Sequence, residues 1–393
     1  MRLYFLSISR HSRLFAMLML AAVWGCSSIP SVNPLEWWSG ASAGKLAELP
    51  TIKSTVDLRL LWQAKLGGAG EAVFSPAVVA SFVFAADRDG NVVKVESASG
   101  RQTWRVNVGR VLSGGIGADG SVAVVGTADG EIIAIEAESG TLRWRARVSS
   151  EVLAAPVIAG DVVLVRSADS RIFALDAKDG RRRWVYQRSA STLGVRSPVG
   201  LVTARGNAYA GFSGGKLVAI SLSNGGVRWE ATVSLPRGTN ELDRVTEIVG
   251  LPWLSDREIC AVAFQGRIAC FDISNGNPIW GREMSSVSGL NADARYLFVS
   301  DDRGAIHALD RTTGTSIWKQ DKLSRRNLTA PLSLGRHIVV SDIQGVIHLL
   351  SRDTGEFESR AATDGSTVIA APVTVDKGFL VQTRAGGLFA FGY

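Results

Sequence analysis

The sequence predicts an all-β fold, an eight-bladed β-propeller of four-stranded antiparallel blades, and three observations carry that prediction. A tight hairpin followed by an apolar strand recurs eight times, with its turn at positions 90, 130, 170, 215, 266, 304, 345 and 386, glycine in every copy but the third, where Ser170 stands. Repeats of forty-odd residues, each reading as four short strands, are the signature of propeller blades. Within each copy both faces of the hairpin strand are apolar, so every sheet must be covered on two sides. Finally, a strand at Leu60–Leu66, ahead of the first copy, carries the tryptophan with which the other copies end.

Taken from the start, residues 1–13 hold three arginines and no acid, and Leu14 to Gly25 is an unbroken apolar run. Twelve helical residues at about 1.5 Å each reach about 18 Å, short of the ~30 Å hydrocarbon layer, so residues 1–25 read as a secretory signal and not as a membrane span. Val23-Trp24-Gly25-Cys26-Ser27 follows. It resembles the lipobox of bacterial lipoproteins, with Gly25 at the small −1 position, and that resemblance implies cleavage before Cys26 and lipidation of its thiol. Trp24 departs from the usual −2 residue. Ser27 in place of aspartate implies sorting to the outer membrane. Residues 26–56 contain Pro30, Pro34 and Pro50 among Ser, Ala and Gly, and read as a flexible tether. The propeller is then expected over 57–393.

Five units open on an X-Pro step: Ser75-Pro76, Ala155-Pro156, Ser197-Pro198, Ala330-Pro331 and Ala371-Pro372. Proline is tolerated at a strand's first residue, where its missing N–H need not join the ladder. A second strand, the glycine hairpin and a third strand follow. Another glycine turn then leads to tryptophan: Gly100 to Trp104, Gly140 to Trp144, Gly180 to Trp184, Gly225 to Trp229, Gly276 to Trp280 and Gly314 to Trp318. Two residues after the hairpin glycine all eight copies are apolar, from Val92 to Leu388, and five after it likewise, from Val95 to Phe391. Adjacent odd and even positions face opposite sides of a sheet. The eighth copy reaches Tyr393 without an outer strand, so the Leu60–Leu66 strand is expected to complete it and close the ring. The seventh copy has Ser359 where tryptophan is expected, which predicts a weaker seam.

Several side chains invite chemistry and are better explained by the fold. His307 and His348 take the repeat position of Val93 and Ile133, and are read as packing residues. Cys260 and Cys270 flank one hairpin at apolar repeat positions. Two readings stand for them, buried small residues or a cross-strand disulfide. Glu96, Glu136, Asp176, Asp272 and Asp310 open the outer turns, where a carboxylate accepts backbone N–H groups. Asp87-Arg88-Asp89-Gly90-Asn91 has its glycine too early for a calcium loop. No metal or cofactor site is expected. The formal charge is +7, and removal of Arg2, Arg10 and Arg13 with the signal leaves +4, without a Lys/Arg block. A nucleic-acid partner is therefore not expected.

Function must then come from surfaces. The long intervals of 45 and 51 residues place extra chain after Trp184 and after Trp229, on one face of successive blades. The first stretch contains Leu193, Val195 and Arg196, the second Glu241, Asp243, Arg244 and Glu247. Apolar groups beside paired charges suit protein docking.

The lipobox, Leu49-Pro50-Thr51, the eight repeats of pyrroloquinoline-quinone-enzyme type and Glu241-Leu242-Asp243-Arg244 together resemble the BamB family of outer-membrane β-barrel assembly lipoproteins, over essentially the whole mature chain. The resemblance implies a non-enzymatic scaffold in the outer membrane, facing the periplasm. It would bind the POTRA domains of BamA within the BAM complex and assist insertion of β-barrels. Leu193, Val195, Arg196 and Glu247 match the family's BamA-contact positions, while Val249 stands where the family can show a second acid. Exposed blade edges are also expected to pair with extended strands of unfolded outer-membrane proteins or of the POTRA domains. The rival class sharing the repeat is a quinone-dependent dehydrogenase, whose quinone pocket, calcium site and adjacent cysteines have no counterpart in the sequence.

Overall fold

The computed structural model describes residues 45–188, 198–237, 239 and 244–393. Its body, residues 46–393, consists of eight four-stranded antiparallel sheets. Seven of them are continuous in sequence, over 77–107, 117–147, 157–187, 201–232, 247–283, 290–320 and 332–362, with strands running in order from the inside of the ring outward. The eighth takes Val373–Val375, Gly378–Gln382 and Gly387–Gly392 from the end of the chain and its outer strand, Arg59–Lys65, from the beginning. In that closing ladder Trp62 pairs with Ala390 and Lys65 with Gly387. The ring closes as expected.

Burial follows the two-faced pattern. Val92, Ile132, Ile172, Leu217, Ile268, Ile306, Ile347 and Leu388 are all fully buried, and so, within a few per cent, are Val95, Ile135 and Leu175 on the other face. The clusters they form alternate around the ring, each made of the facing surfaces of neighbouring blades. In the third copy Ser170 holds, at φ 64°, the left-handed backbone that the turn glycine holds in six others, and in the fifth copy it falls to Gln265, at φ 48°, and not to Gly266.

The recurring glycine-then-tryptophan pair has a role that repeat spacing alone does not disclose: the two residues act across the seam and not within a blade. Trp62 donates its indole N–H to Ser97 O (2.8 Å), Trp144 to Ala177 O (2.9 Å) and Trp280 to Arg311 O (2.7 Å). Trp104, Trp184, Trp229 and Trp318 make the same bond. Each ring lies on the outer-turn glycine of the following blade. A Cβ at Gly180 would stand 2.6 Å from Trp144 Cε3, so only glycine admits the ring.

The exception explains itself. The eighth blade has no turn between its third and fourth strands, because the fourth comes from the other end of the chain. A tryptophan at Ser359 would have no turn to cover. Ser359 is nonetheless buried, and Val56 and Leu58 pack into the seam beside Phe379 and Phe391. The weaker seam expected there is filled by a different part of the chain. For the same reason residues 46–56, expected as the end of a flexible tether, lie against the propeller: Ala47 donates to Ser324 O and Thr55 to Glu358 O.

Cys260 and Cys270 form a disulfide across directly paired strands of the fifth blade. Asp176, Asp272 and Asp310 accept backbone N–H groups in their outer turns as expected. Glu96 and Glu136 pair instead with Arg101 and Arg143.

Candidate partner-docking face

In an antiparallel four-stranded blade the hairpin between the second and third strands and the exit of the fourth strand fall on the same side. The eight hairpins and the connections between blades therefore share one face. The two long connections lie there, between the third and fourth blades and between the fourth and fifth. Of the expected contact residues, Leu193, Val195, Arg196, Glu241 and Asp243 lie outside the described residues, as does Cys26. Arg244 and Glu247 are described, together with the roots of both connections.

Both roots meet on one element, the hairpin of the fourth blade. The first connection leaves from Arg188, whose guanidinium forks onto Glu230 at 2.5 and 3.3 Å. That bond holds the Glu230 carboxyl below its usual range, and Lys216 adds to the effect at 3.4 Å. Arg188 and Arg166 both stand over the Phe212 ring, at 5.8 and 4.8 Å from its centre, with Tyr186 at 5.7 Å. Arg166 reaches across the seam to Gly211 O at 2.5 Å. Burial pushes its pKa down to about 10, opposed by the nearby Glu247 carboxylate.

The second connection returns to the same hairpin. Gly214 and Gly215 donate to Thr246 O at 2.7 and 3.2 Å, and Ser213 Oγ donates to Glu247 Oε1 at 2.9 Å. Glu247 is only 6% exposed. Sequence reasoning placed it on a rim as a direct charge contact; the structure puts it at the foot of the connection, beneath the surface. Arg244 is exposed.

Around these roots the face carries exposed apolar groups that the sequence reading did not single out. Leu235, at the start of the second connection, and Val287, in the next connection along, are both more than half exposed. Arg237 and Arg267 bracket Glu283 beside them, at 3.2 and 3.3 Å. The inner strand of the fifth blade is also irregular. Its ladder passes from Val249↔Val262 directly to Trp253↔Cys260, leaving Gly250-Leu251-Pro252 bulged out with Leu251 exposed. Val249 is buried.

The candidate chemistry sites resolve into structural bonds. Asp87 accepts from Gly67 N, Asn91 N and Asn91 Nδ2. His307 and His348 are bonded to the aspartate six residues earlier, Asp301 and Asp342, and so are polar cross-braces where plain packing was expected. Among the described residues no group of three or more His, Cys, Asp or Glu side chains is placed to hold a metal.

A family model described as outer membrane protein assembly factor BamB matches residues 88–320. The chain is 40% identical over 370 residues to the outer membrane protein assembly factor BamB of Bordetella pertussis, covering 94% of each. Among solved structures it is similar to BamB from Moraxella catarrhalis, with a TM-score of 0.80 and 29% identity over 86% of this chain and all of the other. It also overlays a quinohemoprotein alcohol dehydrogenase from Comamonas testosteroni, with a TM-score of 0.68 and 15% identity over 86% of this chain and 77% of the other. At that identity the likeness is one of fold alone.

Proposed function

The chain belongs to the BamB family of outer membrane protein assembly factors, and from that premise we propose that it is a non-enzymatic scaffold of the BAM complex, held on the periplasmic face of the outer membrane by lipid on Cys26, that binds the POTRA domains of BamA. The observation that carries the reading is the rooting of two long connections from successive blades on a single hairpin. Arg188, Arg166, Thr246 and Glu247 all tie to Phe212–Gly215 or to its immediate neighbours. Loops rooted on a common rigid base leave the body at fixed points, which lowers the ordering cost of binding.

In this reading Leu193 and Val195 supply apolar anchors and Arg196, Glu241, Asp243 and Arg244 the charged rim. Glu247 acts from below by holding the second connection in place. Assistance to β-barrel insertion, through outer blade edges that pair with unfolded outer-membrane proteins, is part of the same proposal.

Co-purification with BamA from detergent-solubilised membranes tests it. Leu193→Asp with Arg196→Ala is expected to reduce recovery about tenfold or more, the loss of a central anchor. Glu247→Gln, which keeps the bond from Ser213, is expected to have a much smaller effect. Undiminished recovery with the first variant, its thermal unfolding unchanged, would reject the docking face.

A further inference from the structure

Leu49-Pro50-Thr51 plays no part in the docking face, yet the chain around it is fixed with unusual care. We propose that the seventh blade carries a receptor groove for the chain's own N-terminal arm, making residues 46–58 a rigid strut that enters the propeller on the face of the long connections. This inference is independent of the partner reading.

The arm is held at four places along its length. Ala47 donates to Ser324 O at 3.2 Å, and Ala47 O accepts from Arg326 Nη1 at 3.0 Å. Leu49 packs against the cluster that contains Phe298, Trp318, Leu323 and Leu328. Pro50 O accepts from Arg360 Nη1 at 3.1 Å. Thr55 donates to Glu358 O at 2.8 Å, and Val56 and Leu58 enter the seam left by the missing tryptophan.

The two arginines are themselves positioned from behind, which separates a built groove from a chance contact. Arg326 is almost wholly buried, with Nε on Asp342 Oδ2 at 2.6 Å and Nη2 on Gln344 Oε1 at 2.5 Å. Arg360 Nε donates to His348 Nδ1 at 3.2 Å, and His348 Nε2 bonds Asp342 Oδ2 at 3.1 Å. Arg326, Asp342, His348 and Arg360 thus form one network in the blade, spending one guanidinium N–H each on the arm. Those two bonds read backbone carbonyls three residues apart. Leu49, between them, sets the register, and Pro50 offers no N–H that would need a partner of its own.

The direction of the arm follows from its contacts. Ser324 belongs to the connection between the sixth and seventh blades, on the same face as the two long connections. Glu358 lies near the start of the seventh blade's outer strand, toward the opposite face. The arm therefore descends the outside of the ring before turning back into the closing strand Arg59–Lys65. The arm's first bonded residue, Ala47, is therefore held at the junction of the sixth and seventh blades by the groove.

Amide hydrogen exchange on the full-length protein, followed by mass spectrometry, tests the strut. Within the segment 46–56 the bonded amides of Ala47, Thr55 and Val56 are expected to exchange about tenfold or more slowly than in the same sequence as a free peptide. Leu49→Asp is expected to return them to within about twofold of the free peptide, with the first five blades unaffected. Arg360→Met, read on the same segment, decides the matter if the first variant does not fold. Exchange at the free-peptide rate in the wild-type protein, or protection that survives these substitutions, would overturn the proposal.

Discussion

The seam between blades is best probed by two glycines of the third blade. Gly160 and Gly180 both hold a left-handed backbone, at φ 64° and 75°. A Cβ at Gly160 meets nothing within 4 Å, whereas one at Gly180 falls 2.6 Å from Trp144 Cε3. Gly160→Ala therefore isolates the backbone cost, roughly 1–2 kcal/mol for an L side chain in that region. Gly180→Ala adds the displacement of Trp144, which is only 7% exposed. Losing the indole bond to Ala177 O costs about 1 kcal/mol. Re-exposing roughly a third of a ~200 Å² aromatic surface adds about 1.5 kcal/mol. The expected total for Gly180→Ala is about 4 kcal/mol. With an unfolding entropy near 0.7 kcal/mol per degree for a body of this size, that lowers Tm by about 5–6 °C, against about 2 °C for Gly160→Ala. Calorimetry or urea melts on the two variants make the comparison. Equal losses would refute the claim that the tryptophan on glycine holds neighbouring blades together.

Two further perturbations follow from the structure. The Cys260–Cys270 bond closes a loop of ten residues' separation, so replacing the pair with valine and alanine, residues that other copies carry there, should cost at most about 3 kcal/mol; intact-mass measurement with and without reductant should show the 2 Da difference of a single disulfide in the mature protein, and free thiols in the native protein would contradict it. Burial pushes His348 below its ordinary pKa, with the Asp342 bond opposing; because the unfolded chain then binds more protons, stability should fall as pH drops from about 6.5 through the lowered folded value. His348→Leu should lower stability at pH 8 yet flatten that decline, and an unchanged slope in the variant would assign the pH dependence elsewhere.

The ring was legible because repetition is written in glycine, tryptophan and alternation. Trp62 ahead of the first copy and the missing outer strand after the eighth were enough to predict closure, and pairing of Trp62 with Ala390 is the outcome. What repetition conceals is which partner a repeated residue touches. Trp144 and Gly180 are 36 positions apart, nearly one full repeat, and within-blade reasoning has no means of joining them. Non-repeating chain is harder still. Residues 46–56 have the composition of a linker, and contacts from residues about 280 to 310 positions away, Arg326 and Arg360 among them, make them otherwise. Glu247 was placed by its charge, but a carboxylate at a strand's first residue is drawn down to the hydroxyl of Ser213.

The departures from the repeat fall in two groups, and their grouping is informative. One set serves closure: Ser359, the arm and the His348 network all sit on the seventh blade, next to the only blade assembled from both ends of the chain. The other set serves no such need. The long connections, Arg166 at a position that is alanine or glycine in the first two copies, the bulge at Gly250-Leu251-Pro252 and the disulfide all lie on the third to fifth blades. Arg166 shows the cost most plainly. Its half-buried guanidinium packs on Phe212 and holds Gly211 O, a bond that Gln382, at the same repeat position, makes to Ala86 O without any charge. A buried cation adds desolvation to a seam that an amide satisfies, so stability of the ring does not account for it. Its neighbours set it apart: Arg188 on the same ring and Glu247 within its field tie it to both long connections, so the irregularities of these blades gather at the roots of those connections.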